Sequence, residues 1–143
     1  MNNAPQHYAI TLLQRQDLQK ATKSALLDPS SSVREATIDL IGKFILKSNS
    51  EELIDSYYEI ITERILDAGV SVRKRVIKIL REICLSYPSY KRIPEICSKI
   101  IKRINDDGEG IRKLVSETFT SMWFKEEPNV ENVKLKGKIY QDY

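Results

Sequence analysis

Apolar residues along this 143-residue chain recur every three or four positions and almost nowhere every second one, the period of helices that bury one face. Ile54, Tyr57, Tyr58, Ile61 and Ile65 share one such face, and Ile93, Ile96, Cys97, Ile100 and Ile104 repeat it. A weaker version runs through Leu18, Ala21, Ala25 and Leu26, with the semi-polar Thr22 in the remaining place. Each stripe is followed by a second one. These second stripes are Val33, Thr37, Leu40, Ile41, Phe44 and Ile45; then Val72, Val76, Ile79, Leu80, Ile83 and Cys84; then Ile111, Val115, Phe119, Met122 and Trp123. No stretch alternates long enough to predict a strand, so the expected fold class is all-α.

The paired stripes return at a fixed interval. LLDPSSSVREATIDLIGKFI from Leu26, ILDAGVSVRKRVIKILREIC from Ile65 and INDDGEGIRKLVSETFTSMW from Ile104 align without gaps. Asp28, Asp67 and Asp106 are 39 residues apart, as are Val33, Val72 and Ile111, and Arg34, Arg73 and Arg112. Such a period marks stacked helical repeats, each too small to bury its own apolar face. The expectation is an α-solenoid of about three antiparallel helix pairs, 15–48, 49–87 and 88–124. An N-terminal segment, 1–14, is expected to be partly helical or disordered, and a polar tail, 125–143, to be poorly ordered.

The turns carry suitable chemistry. Asp28-Pro29-Ser30-Ser31, Asp67-Ala68-Gly69 and Asp106-Asp107-Gly108 break helices. Ser32 with Glu35 predicts a capping box, Asn49 or Ser50 a cap for the helix opening at Glu51, and Pro94 suits a first turn. A stacked array also leaves an apolar face at each end. Neither terminus offers an obvious cap, so the isolated chain is expected to self-associate or to be marginally stable.

One column breaks the apolar pattern. With Val72 at zero and about 100° per residue, the apolar arc of that helix runs from about 340° to about 140° and Arg73 falls near 100°. Arg34 and Arg112 fall in the same place. A guanidinium facing a core needs an acceptor, and the Asp six residues upstream is the obvious supply. Asp28, Arg34, Asp67, Arg73, Asp106 and Arg112 are therefore expected to form a structural ladder at the turn edge. A phosphate-binding row of arginines is the alternative.

At these residues the chain resembles HEAT-repeat proteins, whose pattern is D-x-x-x-x-V-R across the intra-repeat turn. Copies one and two match it closely; copy three has Ile111 for Val and the looser Asn105-Asp106-Asp107-Gly108. The runs SSSVREATIDLIGKFIL, YYEIITERILDAGVSVRKRVIKILREIC and IKRINDDGEGIRKLVSETFTSMWF are, more narrowly, similar to the cohesin-loading Nipped-B-like (adherin) family. This similarity covers about residues 18–124. It implies a nuclear, chromatin-associated, non-catalytic scaffold acting in sister-chromatid cohesion and cohesin loading. The implied partners are cohesin complex subunits and a loader partner protein. The family's members are very large solenoids, so the chain is expected to be a fragment or truncated relative. A generic HEAT adaptor is the alternative.

Charge sharpens the search for a partner surface. The net +3 from 23 basic and 20 acidic residues divides into −3 over residues 1–72, +7 over 73–113 and −1 over 114–143. Within the basic block Lys74, Lys78 and Arg81 follow one helical face, Arg75 borders them, and Lys99 and Lys102 stand on the next helix. These six are the candidate nucleic-acid or partner contacts. Phosphate contact, an acidic protein partner and a merely solvated face all remain open.

Catalytic, metal and cofactor chemistry finds no footing. Cys84 and Cys97 form no CxxC and are read as buried thiols. His7 has no partner for general-base work. Gly108-Glu109-Gly110 follows no strand and is read as turn chemistry. No enzyme activity, cofactor or small-molecule substrate is expected. No apolar run reaches the length of a membrane span.

Overall fold

The structure, a computed structural model, describes residues 14–123 together with Thr11. Helix α1 spans Gln16–Ala25, α2 Ser31–Lys47 and α3 Glu51–Thr62, the last running on into a 3-10 turn, Glu63–Leu66. Then come α4, Val70–Ser86, α5, Ile93–Ile101, and α6, Glu109–Trp123. No strand occurs among the described residues. The fold is all-α, an α-solenoid of three stacked helix pairs. The second helices lie side by side, with α4 packed between α2 and α6. The first helices form the other layer, α3 and the turn before α5 being joined by Tyr90–Asp55 and Arg92–Glu59. Residues 1–10, 12 and 13 of the expected N-terminal segment 1–14, with His7, and the whole expected tail 125–143, with Phe124 before it, lie outside the described residues.

Local chemistry accounts for the element ends. Ser50 caps α3, its Oγ accepting from Leu53 N–H at 3.2 Å, and Glu51 and Glu52 place negative charge at the positive end of the helix dipole. Asn49 precedes this cap with φ of 52°, a left-handed conformation that Asn tolerates better than most residues after a helix end. Pro94 lies in the first turn of α5. The expected Ser32–Glu35 capping box is not formed. The helix starts one turn-position earlier, at Ser31, with Ser30 as the capping residue. The Asp28 carboxylate takes the Ser30 N–H instead, so the chain is already turned before Ser32.

Leu53, Ile54, Tyr57, Tyr58, Ile61, Val72, Val76, Leu80 and Ile83 form the centre of the core, each at most 1% exposed. On α2 three expected core residues lie outside it: Val33 is 41%, Leu40 55% and Phe44 40% exposed, whereas Ile38, absent from the expected stripe, is 1% exposed. Helix α2 packs on α4 at Gly42, and Val33, Leu40 and Phe44 lie on the opposite side of the helix from that residue. Gly42 marks the contact, because a Cβ there would meet Ile79 Cγ1 at 2.7 Å. At the other end of the array Trp123 is also exposed, and its ring stacks on Phe119 with centroids 4.6 Å apart. Ile104 is exposed as well.

Candidate functional site

Each intra-repeat turn begins with the same small motif: an Asp carboxylate accepts the N–H of the residue two positions on. Ser30, Gly69 and Gly108 donate to Asp28, Asp67 and Asp106 at 2.8, 2.8 and 2.9 Å. The Asp67 and Asp106 carboxylates also accept from the repeat before. Arg34 reaches across from the first repeat, its Nε and Nη2 each donating to Asp67 at 3.0 Å, while its Nη1 donates to the backbone oxygens of Asp28 and Pro29. Arg73 does the equivalent one repeat later. Its Nη1 donates to the Asp67 and Ala68 carbonyls, and its Nη2 to Asp106 and Asp107 at 2.9 and 2.8 Å. The ladder is thus built from two kinds of acceptor: the arginine holds the backbone of its own turn and the carboxylate of the following turn. The residue six positions upstream supplies a carbonyl rather than the expected carboxylate.

The rungs are buried. Asp67, Asp106 and Arg73 are 5%, 5% and 6% exposed. Burial opposes ionisation of Asp67, but the Arg34 bonds, the Gly69 N–H and the Arg34 and Arg64 charges outweigh it and hold its carboxyl below the usual range. Asp106 is likewise held low: burial is overcome by the Gly108 N–H and by Arg73. A second arginine column, absent from the sequence expectation, contributes. Arg64 lies 3.3 Å from Asp67 and Arg103 3.6 Å from Asp106, and Arg64 also donates to the Leu26 carbonyl of the preceding repeat. Their own 39-residue spacing, three positions before each Asp, was the available signal.

Arg112 departs from the expected inner position and is exposed. It holds its own turn, donating to the Asp106 and Asp107 carbonyls, but no carboxylate of a following repeat stands opposite it among the described residues.

The candidate contact residues do not form one patch. Lys74, Arg75, Lys78 and Arg81 are on α4; Lys99 belongs to α5 and Lys102 to its C-terminal end, in the other layer. Much of the basic block is also neutralised by the acidic block before it in the chain. Arg75 pairs with Glu35 and Asp39, Lys91 and Arg92 with Asp55, Arg92 with Glu59, and Arg81 lies near Glu82. Lys74, Lys78, Lys99 and Lys102 form no ion pair with a described residue. A shallow groove between α2 and α4, lined by Asp39, Lys43, Leu46, Arg75, Lys78 and Glu82 among others, consequently carries both signs of charge.

Cys84 is buried and Cys97 half-buried, and burial pushes the Cys84 thiol up to about 12, which suits an inert packing residue. Among the described residues no group of His, Cys, Asp or Glu converges to hold a metal ion. No described helix is long and apolar enough to cross a membrane.

Comparison with known proteins gives this stack a lineage. Residues 11–41 match a family described as HEAT repeat associated with sister chromatid cohesion. Nipped-B-like protein A of Danio rerio is 49% identical over 129 residues, 90% of the chain. The chain is a HEAT-repeat segment of the Nipped-B-like family. Nipped-B-like protein B of the same fish is 48% identical over the same length, and Nipped-B protein of Drosophila melanogaster 52% identical over 54 residues, 38% of the chain. The segment spans only 5%, 4% and 2% of these three relatives. In this Nipped-B-like segment Arg34 and Arg73 bridge successive turns by bonding to Asp67 and Asp106.

Proposed function

We propose that the chain is one stretch of the wall of a cohesin-loading factor, a non-catalytic helical scaffold that helps cohesin engage DNA and supports sister-chromatid cohesion. The observation that carries this reading is the extent of the identity, 49% over 129 residues. A repeat skeleton constrains only the apolar stripes and the ladder, so identity on this scale supports the cohesin reading over a generic HEAT adaptor. On this reading the partners are cohesin complex subunits and a loader partner protein, and the place of work is the nucleus. The chain's own residues contribute rigidity. The ladder fixes the spacing of successive turns, and so the positions of side chains that meet a partner.

The test is depletion of the protein that carries this chain, with salt-resistant chromatin-bound cohesin and paired sister chromatids as readouts. Both are expected to fall and to return on re-expression. Unchanged cohesin retention with normally paired sisters would refute the proposal.

For the surface itself, the mixed charge of the α2–α4 groove favours a protein partner over a phosphate backbone. Lys78 lines that groove with Asp39 and Glu82, and Arg75 there is neutralised by Glu35 and Asp39. Titration with duplex DNA at two salt concentrations is expected to give weak binding with a logarithmic salt slope of about 2 or less, the share of Lys74 and Lys78. A steep slope that disappears when Lys74, Lys78 and Arg81 become Ala would assign the surface to DNA instead.

A further inference from the structure

The chain has two cysteines, and the fold brings them together. Cys84 lies in the last turn of α4 and Cys97 in the middle of α5, two helices that pack on one another. Both are free thiols, and they are hydrogen-bonded, the Cys84 S–H donating to the Cys97 sulfur. Their helical neighbours Leu80, Ile83, Ile96 and Ile100 are each at most 1% exposed, so packing holds the two backbones in place. The joint ties the second repeat to the third. It lies well inside the described residues and does not depend on what precedes or follows the chain.

The two thiols differ in access. Cys84 is 6% exposed, whereas Cys97 is half-buried. Burial raises both, and the Cys84 S–H, by bonding to the Cys97 sulfur, works against that rise at Cys97 alone. Cys97 is therefore the thiol that can ionise and meet a small solute. Cys84 is inert toward reagents in solution, yet it has a sulfur within reach.

We propose that Cys84 and Cys97 are a redox pair, closed to a disulfide by a small peroxide, and that the bond locks the second repeat onto the third. The Cys97 thiol gives its proton to water and its sulfur attacks a peroxide oxygen. The O–O bond breaks, hydroxide leaves, and Cys97 carries a sulfenic acid. The Cys84 sulfur then attacks the Cys97 sulfur. The S–O bond breaks, and the departing hydroxide takes the Cys84 proton as water. In sum, two thiols and one peroxide give one disulfide and two waters, the sulfur pair losing two electrons. A small thiol attacking Cys97 reverses the bond, so in a reducing compartment the lock is transient. The inference is independent of the cohesin reading.

The test treats the reduced chain with hydrogen peroxide at low protein concentration, blocks remaining thiols with iodoacetamide, and measures mass. The product is expected to be about 2 Da lighter than the reduced chain and to revert with dithiothreitol. Trypsin cuts between the cysteines at Lys91, so the bond shows as two linked peptides. In Cys84→Ser the reaction is expected to stop at the sulfenic acid, and its capture by dimedone to rise about fivefold or more over wild type. In Cys97→Ser, Cys84 is expected to stay reduced. The oxidised chain is expected to melt about 5 °C or more above the reduced one. Far-UV circular dichroism checks that each variant keeps its helices, and Cys84→Ala replaces Cys84→Ser should the latter lose them. A wild-type chain that yields no linked peptide, or links only between copies, overturns the proposal. So does Cys84 reacting as fast in Cys97→Ser as in wild type. An oxidised chain whose Tm is unchanged or lower overturns the lock.

Discussion

Asp67→Asn is the sharpest probe of the stack, because it removes a charge and almost no volume. The amide oxygen can still accept the Gly69 N–H, so the turn survives. What changes lies across the joint. Arg34 makes two charge-assisted bonds to this carboxylate at 3.0 Å each, and its side chain is only 12% exposed, so it cannot exchange them freely for water. A hydrogen bond to a charged group contributes about 1.5–3 kcal/mol and a neutral one about 1 kcal/mol. The remaining oxygen keeps one bond to Arg34. The NH2 that replaces Oδ2 is a donor and cannot accept from Arg34 Nε. One charge-assisted bond is thus lost at about 2 kcal/mol, and the looser Arg64 contact at 3.3 Å adds a few tenths. For an array of this size that corresponds to a fall in Tm of about 10 °C. Asp28→Asn alters the same motif where no arginine among the described residues bonds to the carboxylate, and is expected to cost less than about 0.5 kcal/mol. Thermal and urea unfolding followed by circular dichroism, at a protein concentration low enough to keep copies apart, compares the two. Equal shifts for Asp67→Asn and Asp28→Asn would refute the ladder as a source of stability.

Two further outcomes follow from the same joints. Gly42→Ala gains helix propensity of about 1 kcal/mol. Its Cβ lands on the buried Ile79 side chain, however, and overpacking of about 1–3 kcal/mol is expected to lower the urea midpoint; a raised midpoint would show that α2 and α4 are not in close contact at that residue. The depressed Asp67 and Asp106 carboxyls make stability depend on pH in one direction. Their contribution is fully present above the unfolded-state value, about 3.9, and is lost as pH falls through the lower folded-state values. The Tm is expected to be level from pH 7 to about 5 and to drop below about pH 4, less steeply in Asp67→Asn. A drop centred near pH 6 would point to other groups.

The helix pairs, their period and the Asp and Arg columns were legible in the sequence because each is a periodic property. A period marks one face of a helix but does not say which neighbour covers it. Val33, Leu40 and Phe44 therefore read as core alongside Ile41 and Ile45, although only the latter two are buried. The partner of each arginine was misjudged for a related reason. The Asp six residues upstream and the Asp thirty-three downstream are equally periodic, and only the stacking direction chooses between them. Charge blocks were misleading in the opposite sense. The acidic and basic stretches are adjacent in the chain, and stacking sets them face to face, as Arg75 with Asp39 and Arg92 with Glu59 show. The candidate surface shrinks accordingly to lysines that the folded chain leaves unpaired among the described residues.

The two edges of the stack are fastened unequally, and this has a mechanical consequence. Along the turn edge each joint is clamped by an ion pair with further bonds to the backbone. Along the opposite edge, the second and third repeats are tied by Tyr90, Lys91 and Arg92 to Asp55 and Glu59. The first and second are joined there by Tyr87 Oη donating to the Leu46 carbonyl at 3.2 Å. A load that bends the array meets least resistance at that joint and on that edge. The first repeat then swings about the line of arginines, which acts as the pin of a hinge, while the second and third move as one stiff block.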